Sequence, residues 1–521
     1  MEKFGGNSLR NVKGKLVPRR NKSKRAIEGR DYISSLPHSI LIHIFSLLPL
    51  KDLVVTSLVS KQWEQLVMAV MSMIPSTILF DEFDMASKII YANIMILQDY
   101  HIDFPQMHQF CLRYSIIAGS KKFTQFVNRT LNLHNGCTIK RLSFGLCYDG
   151  FNSNKEKIDK WFRFAMTNKV KKLEFDFSNG MAAGHDKMSP EYELPPIQSA
   201  SRALESFSFK CGKIKMSNLG AFCYLQSLVL KLVSVVCFSI EDLVTKCPML
   251  KSLKLESCHI PLNFLICRKD IMIESLMVIS CYTPYGPICP IDLSAPELLI
   301  LTLELGFLIA KIDIKAPKLI DIDIRVDEQH TDAAQRQALV KFMGNYTHCE
   351  RLSLGSWCIQ VLSYGVHILQ QAPILFHKLT HLKLQVDFQK QELPGIAYIM
   401  ECCPYMESLT IDLTNSAAIR WGDLGGHFPI AFEFEAEQFW QSQVLPSVSL
   451  QYYLKEVKVS GICGKSCEMS ILQFILENAK VLEPTYVYGV KNVAAKLVQV
   501  GDGINGVYLQ KNILTFECLY E

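Results

Sequence analysis

The sequence predicts an α/β chain in two parts: a small N-terminal unit of three short helices, then a solenoid of parallel strands with helices on the outer face. Three observations carry this prediction. Between Pro37 and Val67, apolar residues recur at helical spacing in three runs. From about residue 138 an apolar residue, two intervening positions and then L-x-L, or a close relative, keeps returning. The composition, 49% hydrophobic and 20% charged over 521 residues, is that of a folded chain long enough for several domains or one repeat array, and it excludes global disorder.

Pro37 suits a first helical turn, where a missing N–H costs nothing, and Asp31, Ser34 and Ser35 supply nearby capping oxygens. Ile40, Leu41, Ile44, Phe45, Leu47 and Leu48 then form a wide apolar stripe, which Pro49 ends because its ring clashes with the preceding turn. A second run places Leu53, Val54, Leu58 and Val59 at helical spacing, and a third Trp63, Leu66 and Val67. A unit this small cannot hide so many apolar side chains, and the surplus predicts an interface.

The L-P at Leu36–Pro37, the I-L at Ile40–Leu41, the L-P at Leu48–Pro49, the S-L-V-S-K at Ser57–Lys61 and Trp63 together resemble an F-box, in order and in spacing. That resemblance implies binding to the Skp-type adaptor of a cullin–RING ubiquitin ligase. Carried over by position, Leu36, Pro37, Leu41, Ile44, Leu48, Pro49, Leu58, Val59 and Lys61 would touch the adaptor, and Trp63 would lie in the junction between box and adaptor.

The repeats follow a physical rule. In L-x-L the two apolar residues point the same way from a strand, and one strand cannot bury that face alone, so copies stack on a shared core. The middle positions Phe207, Leu228, Leu253, Leu276, Leu301 and Ile322 are 21, 25, 23, 25 and 21 residues apart, the period range of leucine-rich repeats. Stretches such as I-E-D-L-V-T-K-C-P-M-L and I-A-Y-I-M-E-C-C-P-Y-M predict a helix that ends before proline. Cys211, Cys258 and Cys281 follow their strands by two or three residues, and they read as small buried residues that satisfy the turn.

Near the C-terminus, Leu454–Gly464 and then Met469–Glu483 resemble the FBD-type end region of plant F-box/leucine-repeat proteins, as a strand followed by a helix with Ile471, Leu472, Ile475 and Leu476 inward. The resulting division is a disordered basic tail (1–30), the F-box (31–70), a connecting segment of helix and short strands (71–137), the repeats (138–450), an FBD-like unit (451–484) and a divergent tail (485–521).

The net charge of +5 is local: residues 1–30 carry ten Lys or Arg against two Glu, +8, which leaves −3 on the rest. Without interleaved aromatic residues the tail predicts no dedicated nucleic-acid site. Pro18 to Arg25 reads either as a nuclear localisation signal or as a solvated tail. No transmembrane run, signal peptide or myristoylation site is expected, which favours cytoplasm or nucleus, and the 18 scattered cysteines are expected as free thiols. Cys463 and Cys467 make only half of a zinc set. Gly501, Gly503 and Gly506 spell G-x-G-x-x-G, but too few residues follow for a dinucleotide fold, so a turn between two strands is expected. No catalytic, cofactor-binding or metal-binding residues are predicted. The expected function is therefore substrate recognition in an SCF-type ubiquitin ligase, with the box on the adaptor and through it the cullin, and the repeats on a target protein. The alternative is a non-degradative leucine-repeat scaffold with a non-functional F-box.

Overall fold

The computed structural model describes residues 32–73, 76–82, 121–134, 138–148, 152–178, 191–196, 201–237, 239–260, 264–266, 271–283, 291–305, 312–326, 333–369, 374–413, 434–436, 438–442, 447–482, 485–489 and 514–518. It divides into two compact units, Met1–Val70 and Met71–Glu521.

The first unit holds the expected helices α1 (His38–Ser46) and α2 (Leu50–Thr56) and, as far as Val70, the third, α3 (Lys61–Met73). Pro37 and Pro49 each occupy the N-cap, with φ of −53° and −55°. Proline has no side-chain oxygen, and α1 is left without a side-chain cap, against the expectation for Ser34 and Ser35. Ser35 Oγ instead donates to the Tyr32 carbonyl (2.7 Å), and Ser34 Oγ accepts from the Trp63 indole (3.1 Å). Asp31 lies outside the described residues.

The second unit is one long sheet of 16 strands, in which neighbouring strands follow chain order and every pair is parallel. Three further strands, Phe264–Ile266, Ile291–Ser294 and Ile312–Lys315, form a second small parallel sheet. The sequence spacing becomes register: Leu142, Leu173, Phe207, Leu228, Leu253 and Leu276 stand opposite one another on successive strands, and Leu301, Ile322, Leu352, Leu382, Leu409 and Val457 continue the column. All of these are buried. A second buried column lies two residues on. At its start Phe80, Phe144 and Phe175 stack with ring centroids 5.2 and 4.8 Å apart, about the strand spacing of a sheet.

The sheet is longer than the repeat pattern. Ser76–Asp81, in the segment expected to be a connector, pairs with Ile139–Gly145 as the first strand of the main ladder. Beyond the FBD-like unit, Thr485–Gly489 and Leu514–Cys518 extend the sheet in parallel. The glycines at 501, 503 and 506 lie outside the described residues. The turn between two strands expected at them lies outside the described residues as well.

Helices Ile240–Lys246 and Leu393–Glu401 end before their prolines, as the sequence predicts. In helix Ser466–Asn478, Ile471, Leu472, Ile475 and Leu476 are buried. Cys258 and Cys281 follow their strands and are buried, and the Cys258 thiol donates to the Leu230 carbonyl at 3.3 Å; Cys211 is buried too but is a correction, since its strand runs on through it from Ser206 to Lys215. At that same place Cys211, Ser257 and Ser280 adopt left-handed φ of 61°, 51° and 49°, and Gly461 takes it at 82°. In these repeats the strand is turned at the same step, four residues after the buried column residue.

Candidate protein-binding surfaces

In the box, packing splits the apolar stripe into two rows. Leu41 and Phe45, one helical turn apart, are buried, together with Leu53, Val54 and Leu66. Ile40, Ile44 and Leu47 face outward. The turn between α2 and α3 presents Leu58 and Val59 with 66% and 63% of their surface exposed, and Leu47 reaches 72%. Large aliphatic side chains left in water to this extent mark a surface to be covered.

Most residues assigned to the adaptor by resemblance lie where a partner can reach them. Pro37, Ile44, Pro49, Leu58, Val59 and Lys61 are exposed, and Leu36 and Leu48 are half-buried. Leu41 is a correction: it has no exposed surface and serves the interior of the box. Trp63 is a second. Its indole N–H donates to Ser34 Oγ, and its ring lies 5.2 Å from that of Phe45, so it ties α3 to the segment before α1 and is only half exposed. Val55 (56% exposed) and Ile33 (55%) were missed; they carry no motif identity, and burial alone distinguishes them.

In the repeats, residues alternating with the two buried columns point to the open face of the sheet. Charged residues there pair across neighbouring strands: Lys231 with Glu256 (2.5 Å), Arg325 with Glu304 (2.7 Å), Lys383 with Asp412 (2.5 Å) and Lys210 with Asp176 (2.7 Å). Burial alone would raise the pKa of Glu174, yet hydrogen bonds from Arg141 and Lys210 hold it below the usual carboxylate range. Asp412 is held down in the same way by Lys383 and Ser460. Each pair contributes little to stability, but each neutralises two charges on the face. At its N-terminal end a cleft of about 590 Å³ is lined by Lys140, Arg141, Lys171, Lys172 and the hydroxyls of Thr77, Ser206 and Ser208, with Glu174 and Glu205.

Two buried carboxylates close loops at the C-terminal end of the sheet. Glu392 accepts from Ser356 Oγ and from the Asp387 and Gln389 N–H groups (3.1 and 2.8 Å). Burial pushes its carboxyl up to about 7, against these hydrogen bonds. Glu468 accepts from the N–H groups of Cys463 (2.9 Å), Gly464 (2.7 Å) and Lys465 (3.2 Å). Both are structural ties. Among the described residues no group of three or more His, Cys, Asp or Glu side chains could hold a metal ion. No described helix is long and apolar enough to cross a membrane.

Comparison with known proteins agrees with this architecture. A family model described as F-box-like matches residues 33–70, and one described as the At1g61320/AtMIF1 LRR domain matches residues 130–490. The putative F-box/LRR-repeat protein At3g18150 of Arabidopsis thaliana is 24% identical over 476 residues, covering 89% of this chain and 87% of its own. The putative F-box/FBD/LRR-repeat protein At4g03220 of the same plant is 24% identical over 474 residues, covering 87% and 88%. The FBD-associated F-box protein At1g66310, also from Arabidopsis thaliana, is 24% identical over 481 residues, covering 89% and 91%.

Proposed function

This chain belongs to the plant F-box/leucine-rich-repeat family, and from that premise we propose that it is the substrate-recognition subunit of an SCF-type ubiquitin ligase. The box docks on a Skp-type adaptor and through it on the cullin, and the sheet face holds a target protein. The observation that carries this reading is the exposed aliphatic surface of Leu47, Leu58 and Val59 on a unit that matches the F-box-like family model.

The mechanism asks for no chemistry from this chain. Holding the target beside a charged ubiquitin-conjugating enzyme raises the effective concentration of its lysines, and rate follows from proximity. A rigid parallel sheet suits that task because its ladder fixes where the target sits. On this proposal the assembly works in the cytoplasm or nucleus. The test is co-purification of the full chain with adaptor and cullin, repeated with Leu36→Ala/Pro37→Ala. Capture that weakens in the variant supports the proposal. No capture, or capture indifferent to the substitutions, favours the scaffold reading, in which the repeats bind a partner and the box is idle.

A further inference from the structure

Among the described residues, the charge pairing of the open face is incomplete. In the cleft at its N-terminal end, Glu174 is committed to Arg141 (2.7 Å) and Lys210 (3.2 Å), and Glu205 to Lys171 (2.9 Å). Lys140 and Lys172, both exposed, have no ion-pair partner among the described residues. Register places these groups in order. Thr77, Arg141, Lys172 and Ser206 stand opposite one another on four successive strands, and Ser227, Ser252 and Ser275 continue the row on the next three. The row therefore runs from a cationic end into a track of small hydroxyl residues. Strands lie about 4.8 Å apart, and an extended peptide advances about 3.3 Å per residue, so the four-strand cleft spans roughly four residues of a crossing chain.

The geometry points to this cleft as the docking site for an extended acidic segment of the target protein, Asp- or Glu-rich where it meets Lys140 and Lys172, lying along the hydroxyl row beyond. Charge complementarity selects the occupant. Two unneutralised ammonium groups in a concave site attract carboxylates, and the hydroxyls offer donors and acceptors to a peptide backbone. A nucleic acid fits less well: Glu174 and Glu205 stand in the same cleft and oppose a continuous phosphate chain, and no aromatic side chain lines it for base stacking. The inference rests on the reading of the repeats as the target-binding part, and it names the chemistry of that target.

The test uses the full chain and a fluorescein-labelled (Glu-Ser)5 peptide, read by fluorescence anisotropy. The expected result is saturable binding that Lys140→Glu/Lys172→Glu weakens at least tenfold, that Lys140→Ala/Lys172→Ala weakens in the same direction, and that rising salt weakens further. Leu58→Ala/Val59→Ala leaves it unchanged. Absence of binding overturns the inference, and so does binding that survives both lysine variants, which assigns the peptide to the basic N-terminal tail. A single-stranded oligonucleotide that binds more tightly than the peptide and is lost in the lysine variants overturns it too. Adaptor capture of the same proteins separates the two readings: a failed box loses adaptor while peptide binding persists, and a failed cleft shows the reverse.

Discussion

Leu58→Ala/Val59→Ala should weaken adaptor binding by about 30- to 150-fold without lowering the melting temperature. Each buried CH2 is worth about 0.8 kcal/mol, and the two changes remove roughly three and two carbons. Since Leu58 and Val59 are 66% and 63% exposed in the free chain, about two thirds of that value remains to be gained on contact. The pair then accounts for about 2–3 kcal/mol, and each 1.4 kcal/mol is tenfold in Kd. Both residues lie in the turn between α2 and α3, so helix propensity does not enter. Leu41→Ala is the control, because Leu41 is fully buried and its truncation should cost about 2–5 kcal/mol of stability. Isothermal titration against a purified Skp-type adaptor gives the affinities, and circular dichroism gives the melting curves. A double variant that binds within threefold of the wild-type chain refutes the reasoning, as does a Leu41→Ala variant that melts normally.

Gly395→Ala should lower the melting temperature even though alanine is the better helix former by about 1 kcal/mol. A Cβ there falls on the Ile359 carbonyl oxygen and 2.6 Å from Ser363 Oγ, which accepts the Gly395 N–H (2.6 Å), and overpacking of this kind costs about 1–3 kcal/mol; an unchanged melting curve contradicts the close approach. Glu392 makes stability depend on pH: its folded pKa, raised to about 7, means that its contribution is fully present below the unfolded carboxyl pKa and is lost as pH rises through about 7. Urea unfolding at several pH values should show that slope in the wild-type chain and a flatter one in Glu392→Gln, while Glu392→Ala orphans the Asp387 and Gln389 N–H groups at a cost of about 1–3 kcal/mol. Identical slopes in wild type and Glu392→Gln count against that assignment. Thiol titration of the native chain should label exposed Cys463 well before Cys358 and Cys402, whose thiols burial pushes up to about 12, and denaturant should abolish the difference.

The repeats were legible because one physical demand is repeated: a two-residue period puts two apolar columns on the same face, and stacking turns a 21- to 25-residue spacing into register. The ends were not. S-T-I-L-F-D places Ile78 and Phe80 at the right interval but lacks the leading apolar residue of the unit, so nothing local separates an edge strand from a connector. Thr485–Gly489 joins the sheet through backbone pairing, which side-chain pattern does not encode. In the box the helical period identified six apolar residues of α1 and its exit, yet a stripe that wide contains both an inward row, Leu41 and Phe45, and an outward one, Ile40, Ile44 and Leu47. Only packing decides between the rows, and it is why Leu41 was carried to the adaptor by resemblance and found in the interior.

The same limit governs charge, with more bearing on function. The K-K pair at Lys171 and Lys172 looks uniform in sequence, but the neighbouring strand supplies Glu205 to Lys171 and only Ser206 opposite Lys172. Whether a lysine is neutralised or available is thus fixed by the residue one strand away, some thirty positions along the chain. Stacked repeats can therefore keep a constant core while single substitutions on one strand open or close a binding charge on the next. On that logic Ser206→Glu should place a carboxylate opposite Lys172 and lower the anisotropy of bound (Glu-Ser)5, with Phe207 and its column unmoved and the melting temperature unchanged; a drop in melting temperature alone would mean that the surface and the core are not separable here.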